Sequence, residues 1–137
     1  MQRPETKARV RALQLLYAWD LTGRPSLRMV IARVAGMYDR APLDPDRGAE
    51  LAAMGIAGVA DFDELVAAAA EHWRLERVGI IERNILRLAL AEIAEGATPS
   101  RVVIDEAVKL AHWFAGAKAP GFVNGVLDTA ARELGAL

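Results

Sequence analysis

Positive charge is concentrated in the first forty residues of a chain that is close to neutral overall. The 137 residues include 17 Lys and Arg against 18 Asp and Glu, but residues 1–40 hold eight basic and three acidic residues, a net charge of +5. The remaining residues carry nine basic and fifteen acidic residues, a net charge of −6. A basic segment of this kind permits contact with nucleic-acid phosphates without requiring it. An ordinary solvated helix face accounts for several of these arginines equally well.

Residue patterns that support catalysis or metal binding are missing from the sequence. There is no cysteine, and His72 and His112 belong to different predicted helices without acidic partners at ligand spacing. No glycine-rich phosphate-binding loop occurs. The only serines, Ser26 and Ser100, stand at predicted helix starts, where capping is the ordinary role. We therefore predict a binding protein rather than an enzyme, with no metal and no cofactor.

The composition predicts an all-α fold. Hydrophobic residues make up 53% of the chain but aromatic residues only 6%, and glycine and proline fall between periodic segments. We expect one domain over residues 1–137 and, because the amino terminus is polar and no apolar run reaches the length of a membrane span, a cytoplasmic protein. The seven expected helices cover residues 4–21, about 25–38, a third segment opened by Pro45 with Asp44 as its N-cap, 61–73, 80–93, 100–114 and 122–134.

Single residues refine these helix limits. Ser26 is a plausible N-cap of the second helix, and Gly96 should end the fifth in a left-handed conformation. Asn124-Gly125 alone would suggest a hairpin turn, but the helical period runs through it. We therefore predict that Gly125 is a position of close helix packing.

The fifth predicted helix should lie at the centre of the fold, because apolar residues cover more than half of its circumference. Arg83, Asn84 and Arg87 occupy the remaining strip. Glu82 points into the apolar sector, where an unpaired carboxylate is costly. Either Glu82 pairs with an arginine of a neighbouring helix, or it lies at the edge of a binding surface and accepts hydrogen bonds from a partner.

The first predicted helix is also apolar on both flanks, with a narrow polar strip that includes Lys7 and Arg11. Arg9 lies nearly opposite these two residues and cannot share their solvent face. It should therefore pair with a carboxylate, and Glu82 and Asp20 are the candidates.

Three sequence blocks together resemble the NusB family of bacterial transcription antitermination factors. They are residues 12–20 (ALQLLYAWD), residues 84–93 (NILRLALAEI), and the pair formed by residues 103–111 (VIDEAVKLA) and 122–128 (FVNGVLD). Each block is weak by itself, but their order and spacing cover most of the chain. Residues 22–60 match the family poorly.

The resemblance implies a seven-helix NusB-like domain of two packed helical subbundles. It also implies binding to the single-stranded boxA element of ribosomal RNA leader transcripts, as a heterodimer with the ribosomal protein NusE in an RNA polymerase antitermination complex. The alternatives are a NusB-like scaffold with weak or lost RNA binding and a NusB-like domain related to ribosomal RNA cytosine methyltransferases. A homodimer is a further option, since apolar faces left by a missing partner can pair with their copies.

Single-stranded RNA binding requires cations that hold the phosphate backbone and aromatic rings that stack on the bases. Tyr17, Phe114 and Phe122 lie on apolar faces and would serve equally well as core residues, and Asn124 would serve as a helix cap. We expect the first and fifth helices to lie side by side and leave a thin charged seam for the transcript. The ten RNA-binding candidates are Arg3, Lys7, Arg9, Arg11, Tyr17, Glu82, Phe114, Lys118, Phe122 and Asn124.

The sequence carries fewer basic residues than the family where RNA contact should be strongest. The family usually opens with adjacent arginines and an Arg-Glu pair, but here those places hold residues 4–7 (PETK) and Val10. The loop at 117–121 keeps only Lys118. About four cations on a single strand imply a salt slope of about −3. We therefore predict weak RNA affinity for the protein alone, raised by its protein partner.

Overall fold

The described part of the chain is built from α-helices, as predicted. The computed structural model describes residues 3–38, 46–71 and 78–137. Within these ranges, none of the helices combines the length and the apolar character that a bilayer crossing needs. The helices are α1 Pro4–Leu21, α2 Leu27–Tyr38, α3 Arg47–Ala57, α4 Val59–Ala69, α5 Ile80–Glu95, α6 Ser100–Phe114 and α7 Ala119–Glu133.

Local start and stop signals explain most helix limits. Pro4 occupies the first position of α1, where its missing N–H costs nothing. The Ser26 hydroxyl accepts a hydrogen bond from the backbone N–H of Met29 at 3.3 Å, which confirms the predicted cap. Gly96 has a φ of +75°, and its N–H donates to the carbonyl of Glu92 at 3.1 Å, which confirms the predicted left-handed stop of α5.

Several predicted limits differ from the structure, and α5 also extends to Glu95 rather than residue 93. The N-cap of α3 is Asp46, whose carboxylate accepts from the Ala49 N–H at 2.9 Å, whereas the predicted cap Asp44 and the opening Pro45 lie outside the described residues. Helix α4 runs from Val59 to Ala69 rather than from residue 61, and the predicted end at residue 73 also lies outside them. Helix α7 begins one turn early, because Pro120 fits a first helical turn.

Helix α5 is the centre of the fold, as its apolar circumference predicted. Every residue from Asn84 to Ile93 is buried. Helices α1, α2 and α3 pack as one subbundle and α4, α6 and α7 pack around α5 as the other, while α1 and α3 also contact α5. The two-subbundle architecture is therefore confirmed. Helix α1 runs antiparallel to α5, since Arg9 contacts Glu92 and Asp20 contacts Arg87.

Two buried glycines allow α3 to approach its neighbours closely. A Cβ at Gly48 would lie 2.7 Å from Cγ of Arg11, and one at Gly55 would lie 3.4 Å from the methyl groups of Leu16. The prediction that Gly125 is a close-packing position is wrong, because a Cβ there would meet nothing within 4 Å. Helical period shows that a residue belongs to a helix but not how near the next helix comes.

Candidate RNA interface

Arg9 is buried in an ion pair between α1 and α5. It is 6% exposed, its Nε lies 2.8 Å from Oε2 of Glu92, and its Nη2 lies 2.9 Å from Oε1. Its Nη1 is also 4.0 Å from Oε2 of Glu106 on α6. The prediction that Arg9 pairs with Glu82 or Asp20 is therefore wrong. The signal for Glu92 was available, since it follows Ile85 and Ala89 at helical spacing and is a lone carboxylate on an apolar stripe.

Arg11 is directed towards α3 and not along a shared strip with Lys7. Its Nε lies 2.9 Å from both carboxylate oxygens of Asp46, and its Nη2 lies 2.5 Å from Oδ2. The absence of a side chain at Gly48 leaves room for this arginine. Lys7 is exposed to solvent. The predicted strip of free cations is therefore reduced to Lys7 on this part of α1.

A second buried network joins α1 to α5 near the other end of α1. The Asp20 side chain is 3% exposed, and its Oδ2 accepts from Arg83 at 2.7 Å, Arg87 at 2.8 Å and Asn84 at 3.1 Å. Burial raises the pKa of Asp20, but these three hydrogen bonds outweigh burial and hold the pKa well below its usual range. Arg87 is also held by Asp63 of α4 through contacts of 2.7 and 2.8 Å.

These two networks change the predicted seam between the first and fifth helices. The helices do lie side by side, but the charged side chains between them pair with one another. Arg9 and Arg87 are both buried, so neither guanidinium faces solvent. The strip of Arg83, Asn84 and Arg87 on α5 is thus largely an internal contact with α1 and α4.

Glu82 is half-buried in the first turn of α5. Its carboxylate folds back over Gly79, so closely that a side chain at that glycine would collide with it. Among the described residues Glu82 has no arginine partner, but Arg74 and Arg77 lie outside them, so the ion-pair interpretation stays a prediction. A carboxylate in the first turn is favoured by the positive end of the helix. The other interpretation, that Glu82 accepts hydrogen bonds from a bound partner, stays a prediction.

Exposed aromatic rings meet at the end of α6. Phe114 is 45% exposed, so its predicted place on the buried stripe of α6 is wrong; the stripe ends at Leu110 and Ala111. Trp113 is 42% exposed, and its ring lies perpendicular to that of Phe114, with centroids 6.3 Å apart. Sequence reasoning overlooked Trp113, although it follows Lys109 by one turn on the water-facing side of an amphipathic helix.

The other candidates divide between half-buried and exposed positions. Tyr17 and Phe122 are half-buried, and Phe122 packs against the core. Arg3, Lys118 and Asn124 are exposed, as is Lys7. Phe114, Lys118, Phe122 and Asn124 fall within eleven residues around the turn from α6 to α7. We call residues 113–124 the α6–α7 corner.

One contact places the first turn of α1 next to α6. The Thr6 hydroxyl donates to Oε2 of Glu106 at 3.3 Å, and Lys109 Nζ lies 3.4 Å from Oε1 of the same carboxylate. The exposed cations Arg3 and Lys7 therefore border the helix that carries the exposed aromatic rings. Together these surfaces offer positive charge and open ring faces, which is the chemistry that single-stranded RNA needs.

Comparisons of the sequence and of the fold with known proteins both point to the NusB family. The model of the NusB family matches residues 6–132. The chain is 40% identical over 129 residues to the transcription antitermination protein NusB of Solibacter usitatus, covering 93% of this chain and 88% of that protein. It superposes with a TM-score of 0.82 and 28% identity on a chain from the crystal structure of a plectonemic RNA supercoil, over 97% of each chain. The crystal structure of antitermination factors NusB and NusE in complex with double-stranded RNA gives a TM-score of 0.80 at 29% identity, over 97% of this chain and 99% of that chain.

Proposed function

This chain belongs to the NusB family, and on that premise we propose that it is an RNA-binding transcription antitermination factor. It binds the boxA element of ribosomal RNA leader transcripts as a heterodimer with NusE and joins an RNA polymerase antitermination complex. It acts in the cytoplasm as a single NusB-like domain and is a binding protein rather than an enzyme. The similarity to a chain from the complex of NusB and NusE with double-stranded RNA supports binding to NusE and to RNA.

The observation that carries the proposal is the exposed Phe114 at the α6–α7 corner. Full burial of a phenylalanine side chain is favourable by about 1.5–3 kcal/mol of free energy. Because Phe114 is 45% exposed, the free protein lacks nearly half of that stabilisation. An unstacked RNA base covers such a ring and recovers part of the gain, while Lys118 and the cations of α1 hold the backbone. Duplex RNA buries its base faces in the stack, so single-stranded RNA is the better ligand for this surface.

The paired arginines set the expected strength of binding. Arg9 and Arg11 are held by Glu92 and Asp46, which leaves Arg3, Lys7 and Lys118 as the exposed cations among the ten candidates. Three phosphate contacts on a single strand give a salt slope of about −2, shallower than the value of about −3 expected from the sequence. The protein alone therefore binds RNA weakly, and NusE supplies the additional contacts.

Filter binding with labelled single-stranded boxA RNA, with and without NusE, tests the proposal. A scrambled strand and a duplex of the same sequence are the matched controls. We expect weak binding by the protein alone and stronger, sequence-dependent binding by the heterodimer. Nanomolar binding by the isolated protein in physiological salt would contradict the argument from the paired arginines.

A scaffold without RNA binding is the second candidate function. The same ion pairs favour it, because they remove two of the five predicted cations from solvent. Binding to NusE with no detectable RNA binding by the heterodimer would decide for the scaffold and against the RNA-binding proposal.

A further inference from the structure

Trp113 is an exposed residue that lies outside the buried core. The buried stripe of α6 is complete with Val103, Ala107, Leu110 and their neighbours, and Trp113 lies outside the core cluster. By contrast, Trp19 is 5% exposed and part of that core. A large aromatic ring held at 42% exposure on the polar side of a helix offers much apolar surface to a partner.

The geometry of Trp113 and Phe114 gives two separate ring faces. Their planes meet at 85° with the centroids 6.3 Å apart, so the two rings do not cover one another face to face. Each ring can therefore take one unstacked base, with the RNA backbone turning between them. This arrangement suits a flexible single strand and not a rigid duplex.

The charges beside Trp113 fit a nucleotide. Lys109 Nζ lies 6.0 Å from the centre of the Trp113 ring. Its ion pair with Glu106 is long, at 3.4 Å, and the lysine side chain is half exposed, so the ammonium group is within easy reach of a phosphate. Lys118 follows in the α6–α7 corner, and the nearest exposed carboxylate on this side of α6, Asp105, lies two helical turns back.

We propose that Trp113 is a base-stacking residue for single-stranded RNA, taking the base next to the one at Phe114 while Lys109 contacts the phosphate between them. This inference rests on the proposed function but assigns a subsite outside the ten candidate residues. A docking surface for a protein is disfavoured because Lys109 lies beside the Trp113 ring and the exposed residues His112 and Lys118 are polar. A protein hot spot is instead ringed by contacts that exclude water.

The test compares three variants of the chain in complex with NusE. Trp113→Ala should weaken binding of single-stranded boxA RNA about 5- to 150-fold, the loss that one stacked base implies. Trp113→Phe should stay within about threefold of the unchanged protein, because it keeps a stacking face. Val102→Ala is the matched control, since Val102 is also an exposed apolar residue of α6, and it should leave affinity unchanged.

Fluorescence separates stacking from a merely structural effect. RNA should quench the tryptophan emission of the unchanged complex, and Trp113→Phe should lose that quenching while it still binds. Equal RNA affinity of Trp113→Ala and the unchanged protein, or quenching that is undiminished in Trp113→Phe although Trp19 and Trp73 remain, would overturn the inference and leave the proposed function standing. A Trp113→Ala variant that loses NusE binding in the absence of RNA would show a protein contact and also overturn it. If the complex of the unchanged chain with NusE binds no RNA, both the proposed function and this inference are wrong.

Discussion

Arg9 of α1 and Glu92 of α5 form a buried, two-point ion pair that links residues 83 positions apart in the sequence. A second pair, Asp20 with Arg87, joins the same two helices eleven residues further along α1, about 16 Å away by helical rise. Two such pairs are compatible with only one register of the antiparallel helices, because a shift by one turn would leave buried charges unpaired.

Arg9 and Glu92 should show a large coupling energy in a double-mutant cycle. We expect Arg9→Ala and Glu92→Ala each to lower the free energy of unfolding by about 3–5 kcal/mol, since each leaves a buried charge without its partner. The double variant should lose less than the sum, with a coupling energy of about 2–3 kcal/mol. Urea unfolding followed by circular dichroism measures all four proteins.

Glu82 provides the control for this cycle, since it is a second glutamate of α5 and is half-buried. Arg9→Ala and Glu82→Ala should be additive within about 0.5 kcal/mol. Coupling of Arg9 to Glu82 in place of Glu92 would contradict the observed pairing.

Asp20 should make stability depend on pH in the acid range. Its pKa is lower in the folded protein than the value of about 3.9 in the unfolded chain, so its contribution is present above pH 4 and is lost as the pH falls towards the folded pKa. Asp20→Asn should cost about 3 kcal/mol at pH 7 and clearly less at pH 2.5. Urea midpoints at the two pH values test this expectation.

Asp105 on the exposed side of α6 supplies the comparison for the pH experiment. Asp105→Asn should change the free energy of unfolding by less than about 0.5 kcal/mol at either pH. A cost of Asp20→Asn that stays constant from pH 7 to pH 2.5 would show that the charge of Asp20 is not what stabilises the α1–α5 contact.

Gly48 and Gly125 should respond in opposite directions to alanine. A methyl group at Gly48 would press on the Arg11 side chain and on the carbonyl of Ala8, so Gly48→Ala should destabilise the protein by about 1–3 kcal/mol. Gly125 faces open space within a helix, so Gly125→Ala should stabilise it by about 0.5–1 kcal/mol. Thermal unfolding of both variants distinguishes the two sites, and destabilisation by Gly125→Ala would restore the close-packing prediction.

Lys7 and Arg11 should differ in their effect on RNA binding, although they lie one turn apart on α1. Lys7→Ala should make the salt slope of the heterodimer with boxA RNA shallower by about 0.7, the value of one phosphate contact. Arg11→Ala should leave the slope unchanged, because Asp46 already neutralises that guanidinium. Titrations at several salt concentrations give both slopes, and equal slopes for the two variants would contradict the division between free and paired cations.

Local signals were sufficient to predict the helices. The limits of α1 and α6, the cap at Ser26 and the stop at Gly96 follow from interactions within a few residues of each position. The central place of α5 also followed from its own residues, because a helix that is apolar on most sides must be covered on most sides. Family membership could also be predicted from the sequence, since it rests on the order of residues along the chain.

Only the tertiary structure decided which charged and aromatic side chains are available to a ligand. Helical period placed Arg9 on the correct face, but it offered Glu82 and Asp20 as partners and not the actual partner Glu92. It also placed Phe114 on an apolar stripe that ends before that residue. Such outcomes depend on the register and the length of contact between helices, which are set by the packing of residues far apart in the sequence. The spacing of side chains along one helix contains no information about where the next helix begins to cover it.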